Sequence, residues 1–450
     1  MSAIERFARL ISDTHRDLPT AARDAARTAL IDTIACIYAG SQQPVASNAL
    51  AAVQSWGSGT SPVIGRKLCL SPPFAAMVNG AAAHAQDYDD CDAPANSHPS
   101  AVIFPALLAL AAERRVSGQE LLDAHIIGVE VMQRLGEAMN MDHYRRGWLS
   151  TMTLGSIASA AACAHLGKFD FATAIAALSL ASSMASGLTN QGGYLAKQLH
   201  VGLTAQNGVM ASALAAAGIT GSAQVIDGPI SLARVMGDYD PGKFERALAK
   251  LGNPWSIVEH GLIMKAYPSC GYTHRLIDAA IDLHQRLPAG CGEIQSILIS
   301  VPEYYLDLLV YPHPRNPDEA MFSAEYNVAA ALLRGGFGLA ELEPAALTDA
   351  ELLRLTRLAR VQARKPGNVD IVYDPLDPDS VEVTLQDGRC LRSETKLPTG
   401  MPGKPMSDAA RRAKFDACVA PCRNASERAG LWQRLCDIEA IDDIGRDLEL

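Results

Sequence analysis

Apolar residues recur at three- and four-residue spacing from the start of the chain to about residue 265, the period of helices that bury one face. Runs such as "AARTALIDTIACIYAG", "FAAMVNGAAAHAQDY", "AVIFPALLALAAERR", "ELLDAHIIGVEVMQRLGEAM" and "TLGSIASAAACAHLG" are rich in alanine and separated by short Gly, Pro and Ser clusters. Alanine at this density lets helices approach closely, so the spacing predicts a compact bundle. The pattern changes after "KAYPSCGYTH". "RLIDAAIDLHQRLP" predicts one more helix, the alternation in "EIQSILISVPEYY" predicts a strand, and "SVEVTLQDGRCLRSETK" predicts a hairpin turning at Asp387-Gly388. Between these, "SAEYNVAAALLRGG" and "DAELLRLTRLAR" read as helices, and "LPTGMPGKPMS" leads into a last helical run capped at Ser407-Asp408. The expected fold is mainly α, with a large all-helical domain formed by both chain ends and a smaller inserted α+β lid domain. The boundaries fall at 1–266, 267–395 and 396–450, the last stretch being a helical tail that packs on the first domain.

Composition narrows the function. The 450 residues are 48% hydrophobic and 20% charged, an ordinary globular balance. A formal net charge of −10 argues against a grip on nucleic acid or anionic lipid, either of which needs a concentrated basic face. The longest apolar stretches, such as "AVIFPALLALAAE", fall short of the ~20 residues of a membrane span. "MSAIERFARLISD" carries charge where a secretory signal would be apolar, so the expected compartment is the cytoplasm, with the ten cysteines reduced. Cys418 and Cys422 are four apart on an expected helix with no second pair to complete a zinc or iron–sulfur set, and they read as packing residues.

Phosphate-binding glycine loops, the G-x-S-x-G elbow and H-E-x-x-H are all absent from the sequence. What remains are polar clusters inside apolar surroundings. "HAQDYDDCDAPANSHPS" crowds Asp87, Asp89, Asp90 and Asp92 ahead of His98-Pro99, with Asp87, Asp90 and His98 as the leading cluster. Taken singly, these residues read as helix caps. Together the acids repel one another unless cations lie nearby. "NQGGYLAKQLHVGLTAQNG" offers Lys197 and His200 one helical turn apart, behind a Gly192-Gly193 pair that permits a close turn with free N–H groups. "IMKAYPSCGYTH" places Lys265, Cys270, Tyr272 and His274 at the expected domain junction, where small-molecule clefts form. If the three segments converge, they build a pocket of lysines, histidines and acids. Such a pocket suits a substrate with several carboxylates, needs no metal or other cofactor, and supports proton chemistry next to a carboxylate.

The blocks "NGAAAHAQDYDDCDAPANSHPSAVIFPALLALAAE", "GWLSTMTLGSIASAAA", "AKQLHVGLTAQNGVMAS", "KAYPSCGYTHRLIDA" and "FSAEYNVAAALL" resemble, in order and approximate spacing, those of the MmgE/PrpD family. That group includes 2-methylcitrate dehydratase, cis-aconitate decarboxylase and iminodisuccinate epimerase. The resemblance implies a helical domain with an inserted lid, a homodimer, and cofactor-independent chemistry on di- or tricarboxylates. It implies pocket roles for Asp87, His98, Lys197, His200 and Lys265, a tyrosine from the lid at Tyr311, and a further one at Tyr144. Many members carry histidine where this chain has Leu149, and decarboxylase-like members carry one where it has Cys270. Both departures count against cis-aconitate decarboxylation.

The leading expectation is therefore a dehydratase-type lyase, with His98 and Lys265 moving protons, Tyr144 assisting, and Lys197, His200, Asp87, Cys270, His274 and Tyr311 around the substrate. The alternatives are epimerisation of an amino- or imino-dicarboxylate, for which "GWLSTMTLG" and "GNPWSIVEHGL" speak, and a paralogue that binds carboxylates without turning them over.

Overall fold

The computed structural model describes residues 1–13, 18–287, 291–368, 371 and 373–450. Pro288, the end of the quoted "RLIDAAIDLHQRLP" run, lies outside them. Long helices at Thr20–Gly40, Gly118–Met139, Ser150–Leu166 and Leu195–Ala216 dominate the first part of the chain, as the alanine-rich periodicity predicts. Glycine lets two helices approach most closely where Pro72–Ala83 crosses Leu195–Ala216. A Cβ on Gly80 would lie 2.9 Å from the Gly202 Cα, and one on Gly202 would lie 2.2 Å from the Met77 carbonyl oxygen. Backbone thus packs on backbone, and no other residue fits without moving a helix.

Two sheets accompany the helices. β1 (Ser61–Pro62) and β2 (Cys69–Leu70) pair antiparallel. β3 (Ile294–Pro302), β4 (Ala359–Arg364), β5 (Asp379–Leu385) and β6 (Cys390–Thr395) form a mixed sheet in the order β4-β3-β5-β6, with β3 and β4 parallel. The predicted hairpin is β5–β6, turned through Gly388 at φ +85°. β4 was hidden in the sequence. The helical run "DAELLRLTRLAR" ends at Leu358, and Ala359 and Arg360 begin the edge strand "ARVQAR", whose apolar–polar alternation spans only six residues and runs straight on from the helical pattern, so it does not stand out from it.

The expectation of an all-helical large domain carrying a separate lid needs correction on two counts. β1 and β2 sit within the helical part. The apolar cluster around the mixed sheet also takes in Met141 and Ile263, with Tyr144 and Cys91 packed against it, and a bridge joins Cys91 to Ile263. Side chains from the helical part therefore complete the core beneath the sheet. The helices at Asp408–Val419 and Ala425–Cys436 lie against Thr20–Gly40, pinned by Lys414 Nζ to Asp32 Oδ1 at 2.6 Å and by Arg423 Nε donating to the Tyr38 hydroxyl at 2.9 Å. No helix among the described residues is long and apolar enough to cross a membrane.

Candidate active site

Helix Pro72–Ala83 ends at His84, and the chain then loops to His98 before Pro99 opens the next helix at its favoured first position. The loop divides its four acids. Asp90 accepts from the Ser100 amide and hydroxyl, capping that helix, and Asp92 accepts from the Ala95 and Ser97 amides and the Ser97 hydroxyl, closing the turn. For these two the capping role holds, so Asp90 leaves the expected catalytic cluster. Asp87 adopts φ +47°, a left-handed conformation that aspartate tolerates, and this turns its carboxylate inward.

Two lysines meet it there. Lys265 Nζ donates to Asp87 Oδ1 at 2.6 Å and to the Asp87 carbonyl at 2.9 Å, and Lys197 Nζ stands 3.3 Å from the same Oδ1. The cations required by the acid cluster thus come from segments more than a hundred residues away. Burial opposes the charge on Asp87, but Lys197 and Lys265 hold its carboxyl well below the usual range. Burial likewise opposes the charge on Lys265, and Asp87 overcomes it, so this ammonium keeps its proton more tightly than a free lysine.

His84 and Asp89, both buried, also belong to this centre; in the sequence Asp89 counts among the crowded acids, but neither residue is given a role there. His84 Nδ1 lies 2.8 Å from Asp89 Oδ1 and His84 Nε2 lies 2.6 Å from Lys197 Nζ. Burial pushes the imidazole down to about 4, with Lys197 adding to the effect and Asp89 opposing it, so His84 is neutral near pH 7. Asp89 can only accept, since burial is outweighed by His84 and His98 and its carboxyl lies far below its ordinary value. The tautomer follows: Nδ1–H donates to Asp89, and the bare Nε2 accepts from the Lys197 ammonium. The available signal was the acid-rich loop at the end of an apolar helix, with His84 its first residue.

His98 Nδ1 lies 3.0 Å from the Asp90 carbonyl, with Asp89 Oδ2 3.2 Å away, leaving Nε2 on the side of Asp87 Oδ1 at 3.8 Å. A cavity of about 60 Å³ opens here. Asp87, His98, Tyr144, Lys197, Lys265 and Cys270 all line it, and so does the apolar side chain of Leu149. The Cys270 thiol is pushed up to about 11 by burial and by Asp87, so it stays protonated. Tyr144 is also held protonated, by burial and by neighbouring Cys270.

Three expected residues are not brought to the cavity. His200 is half-buried and outside the lining, because a three-residue step along a helix leaves side chains about 60° apart. His274 is buried with Nε2 3.3 Å from the Ser269 carbonyl, bracing the turn that carries Cys270. Tyr311 donates to the Gly192 carbonyl at 2.9 Å, and its ring fills the space that a Cβ on Gly193 would need, so the glycine pair accommodates a tyrosine and not an anion.

His84, Asp87, Asp89 and His98 offer four potential metal-ligand atoms within 4.8 Å of one another. Two lysine ammoniums already sit on the Asp87 oxygen, so the positive charge at this centre is built in and a divalent ion there would meet both. Glu137, Glu259 and His260, a second such group, are engaged by Arg134 and Lys250.

A helical protein with a buried acid–imidazole–lysine centre and a small anion-sized cavity is the class that fold and site define. Residues 5–245 match the model of the MmgE/PrpD N-terminal domain and residues 267–434 that of the MmgE/PrpD C-terminal domain. The chain belongs to the MmgE/PrpD family. It is 27% identical over 388 residues to a cis-aconitate decarboxylase of Homo sapiens, covering 83% of this chain and 78% of that protein. It is 25% identical over 457 residues to a cis-aconitate decarboxylase of Aspergillus terreus, covering 96% and 92%. With a cis-aconitate decarboxylase-like protein of Aspergillus oryzae it shares 27% identity over 466 residues, covering 96% and 94%.

Proposed function

We propose that this chain is a lyase that removes the proton next to a carboxylate of a small hydroxylated acid and expels water. The observation that carries the reading is the convergence of Lys197 and Lys265 on one oxygen of Asp87, in a cavity faced by His98. The ammoniums hold the substrate carboxylate and stabilise the enolate-like charge that develops as the proton leaves. With its Nδ1–H directed to the Asp90 carbonyl, His98 presents Nε2 as the base. Lys265, bound to Asp87 and reluctant to release its proton, serves as a charge and not as a base. Tyr144, protonated and on the same cavity wall, is placed to donate to the departing hydroxyl.

Similarity to cis-aconitate decarboxylases supports a carboxylate-directed lyase. Leu149 and the protonated Cys270 favour loss of water over loss of carbon dioxide, since neither supplies an imidazole to protonate the carbon left by decarboxylation. The test is incubation with hydroxy acids and with cis-aconitate, following double-bond absorbance and released carbon dioxide together. The expected result is an unsaturated acid with no carbon dioxide. Release of carbon dioxide from cis-aconitate overturns the dehydratase reading, and so does deuterium exchange from D2O with inversion and no alkene, which would establish an epimerase.

A further inference from the structure

The inner cavity, at about 60 Å³, is small. At roughly 30 Å³ per water in the liquid it has room for about two waters, the space of a single carboxylate. Its hydrogen-bond capacity matches one carboxylate as well. Of the three N–H groups of Lys265, two are directed at Asp87, and Lys197 faces His84 Nε2 and Asp87 Oδ1. One N–H of each lysine remains, one for each oxygen of a single carboxylate.

A second cavity of about 350 Å³, large enough for a ligand, shares Tyr144, Tyr272 and Leu308 with the first as common walls. Its remaining uncharged wall is made by Met141, Gly147, Thr189, Asn190, Tyr304 and Pro366. The charges in it are Glu303, Asp307 and Arg145, and Arg145 stands 3.8 Å from Asp142. A second carboxylate placed there would meet two acids and a cation that already has a partner, whereas a flat apolar group would meet aromatic faces.

We propose that the substrate is a β-hydroxy monocarboxylic acid whose β-carbon bears an uncharged apolar or aromatic substituent, with the carboxylate in the inner cavity and the substituent in the tyrosine-walled outer one. This rests on the lyase reading above. The α-carbon proton passes to His98, the carbon–oxygen bond breaks, and hydroxide leaves as water with the Tyr144 proton, giving an α,β-unsaturated acid. His98 then gives up its proton as Tyr144 regains one, so the enzyme returns to its starting state.

The test compares 3-hydroxy-3-phenylpropanoate, 3-hydroxybutanoate, citrate and malate as substrates, and cinnamate and aconitate as ligands by calorimetry. The phenyl acid is expected to exceed citrate and malate in kcat/KM by about tenfold or more, the scale of one well-buried ring. Tyr304→Ala is expected to lower kcat/KM for the phenyl acid about tenfold more than it lowers that for 3-hydroxybutanoate. A preference for citrate or malate, or a phenyl preference indifferent to Tyr304→Ala, overturns the proposal and leaves the lyase reading standing. Turnover of none of these acids, with cinnamate bound more tightly than aconitate and released by Tyr304→Ala, removes the lyase reading and upholds the outer chamber. Should Tyr304→Ala not fold, the paired Glu303→Gln and Asp307→Asn variant is expected to bind aconitate about tenfold more tightly. Unchanged aconitate affinity there counts against the proposal.

Discussion

Asp87 is the residue on which the centre turns, since one of its oxygens receives both lysines. Replacing it with alanine leaves two ammoniums in a buried site without their carboxylate, and removing one partner of a buried ion pair costs about 3–5 kcal/mol. Thermal unfolding of Asp87→Ala is expected to show a loss of that order. His98→Ala, whose ring is partly accessible to the cavity, is expected to abolish turnover with little change in stability. His84 gives a pH signature. Its folded-state value, about 4, lies below the ordinary 6.5, so from pH 6.5 down toward 4 the unfolded chain binds a proton that the folded chain refuses, and stability falls as pH falls. His84→Asn is expected to flatten the stability profile in that window relative to the parent, and nuclear magnetic resonance of the parent should show the His84 ring titrating near pH 4. An equal slope in the two proteins would remove His84 from this role. The acid-rich loop was legible as a site, but which acids face inward was not, because that depends on the left-handed turn at Asp87 and on caps to residues up to ten positions away.

At the level of elements, two contacts hold the centre together. The Gly80–Gly202 crossing lies within one or two turns of both His84 and Lys197, and the close approach of the two helices brings these side chains within hydrogen-bond reach. Gly202→Val is expected to push the helices apart against the Met77 carbonyl, lower the melting temperature and cut kcat more than it changes KM. The second contact is Lys414, on the helix Asp408–Val419. Its Nζ donates to the Tyr88 carbonyl at 2.7 Å and the Lys265 carbonyl at 2.9 Å while paired with Asp32. One buried ammonium thus ties together the two segments that supply Asp87 and Lys265. Lys414→Met keeps the length of the side chain and removes three partners, so it is expected to destabilise the fold and weaken activity without touching substrate. Retained activity and stability in Lys414→Met would show that the tail is dispensable to the centre. Periodicity made the helices and the β5–β6 hairpin readable, whereas the alternation of edge strand β4 is only six residues long and continues directly from a helix, so the helical pattern ran over it.

Across the whole molecule, the centre lies against the sheet-bearing core, whose apolar cluster gathers Tyr144 from the helical part of the chain with Cys270 and Phe322 from the later part, all three lining the cavity. By itself the sequence determined the helical body, the hairpin, the net negative charge and the three segments that meet at the candidate site, since these depend on local periodicity and on residue type. Only the tertiary structure decided that Lys197 and Lys265 share one carboxylate oxygen, that His84 and Asp89 orient Lys197, and that His200, His274 and Tyr311 stay outside the cavity. Those outcomes depend on how helices cross and which way each side chain faces, and distances between residues far apart in the chain are set by packing.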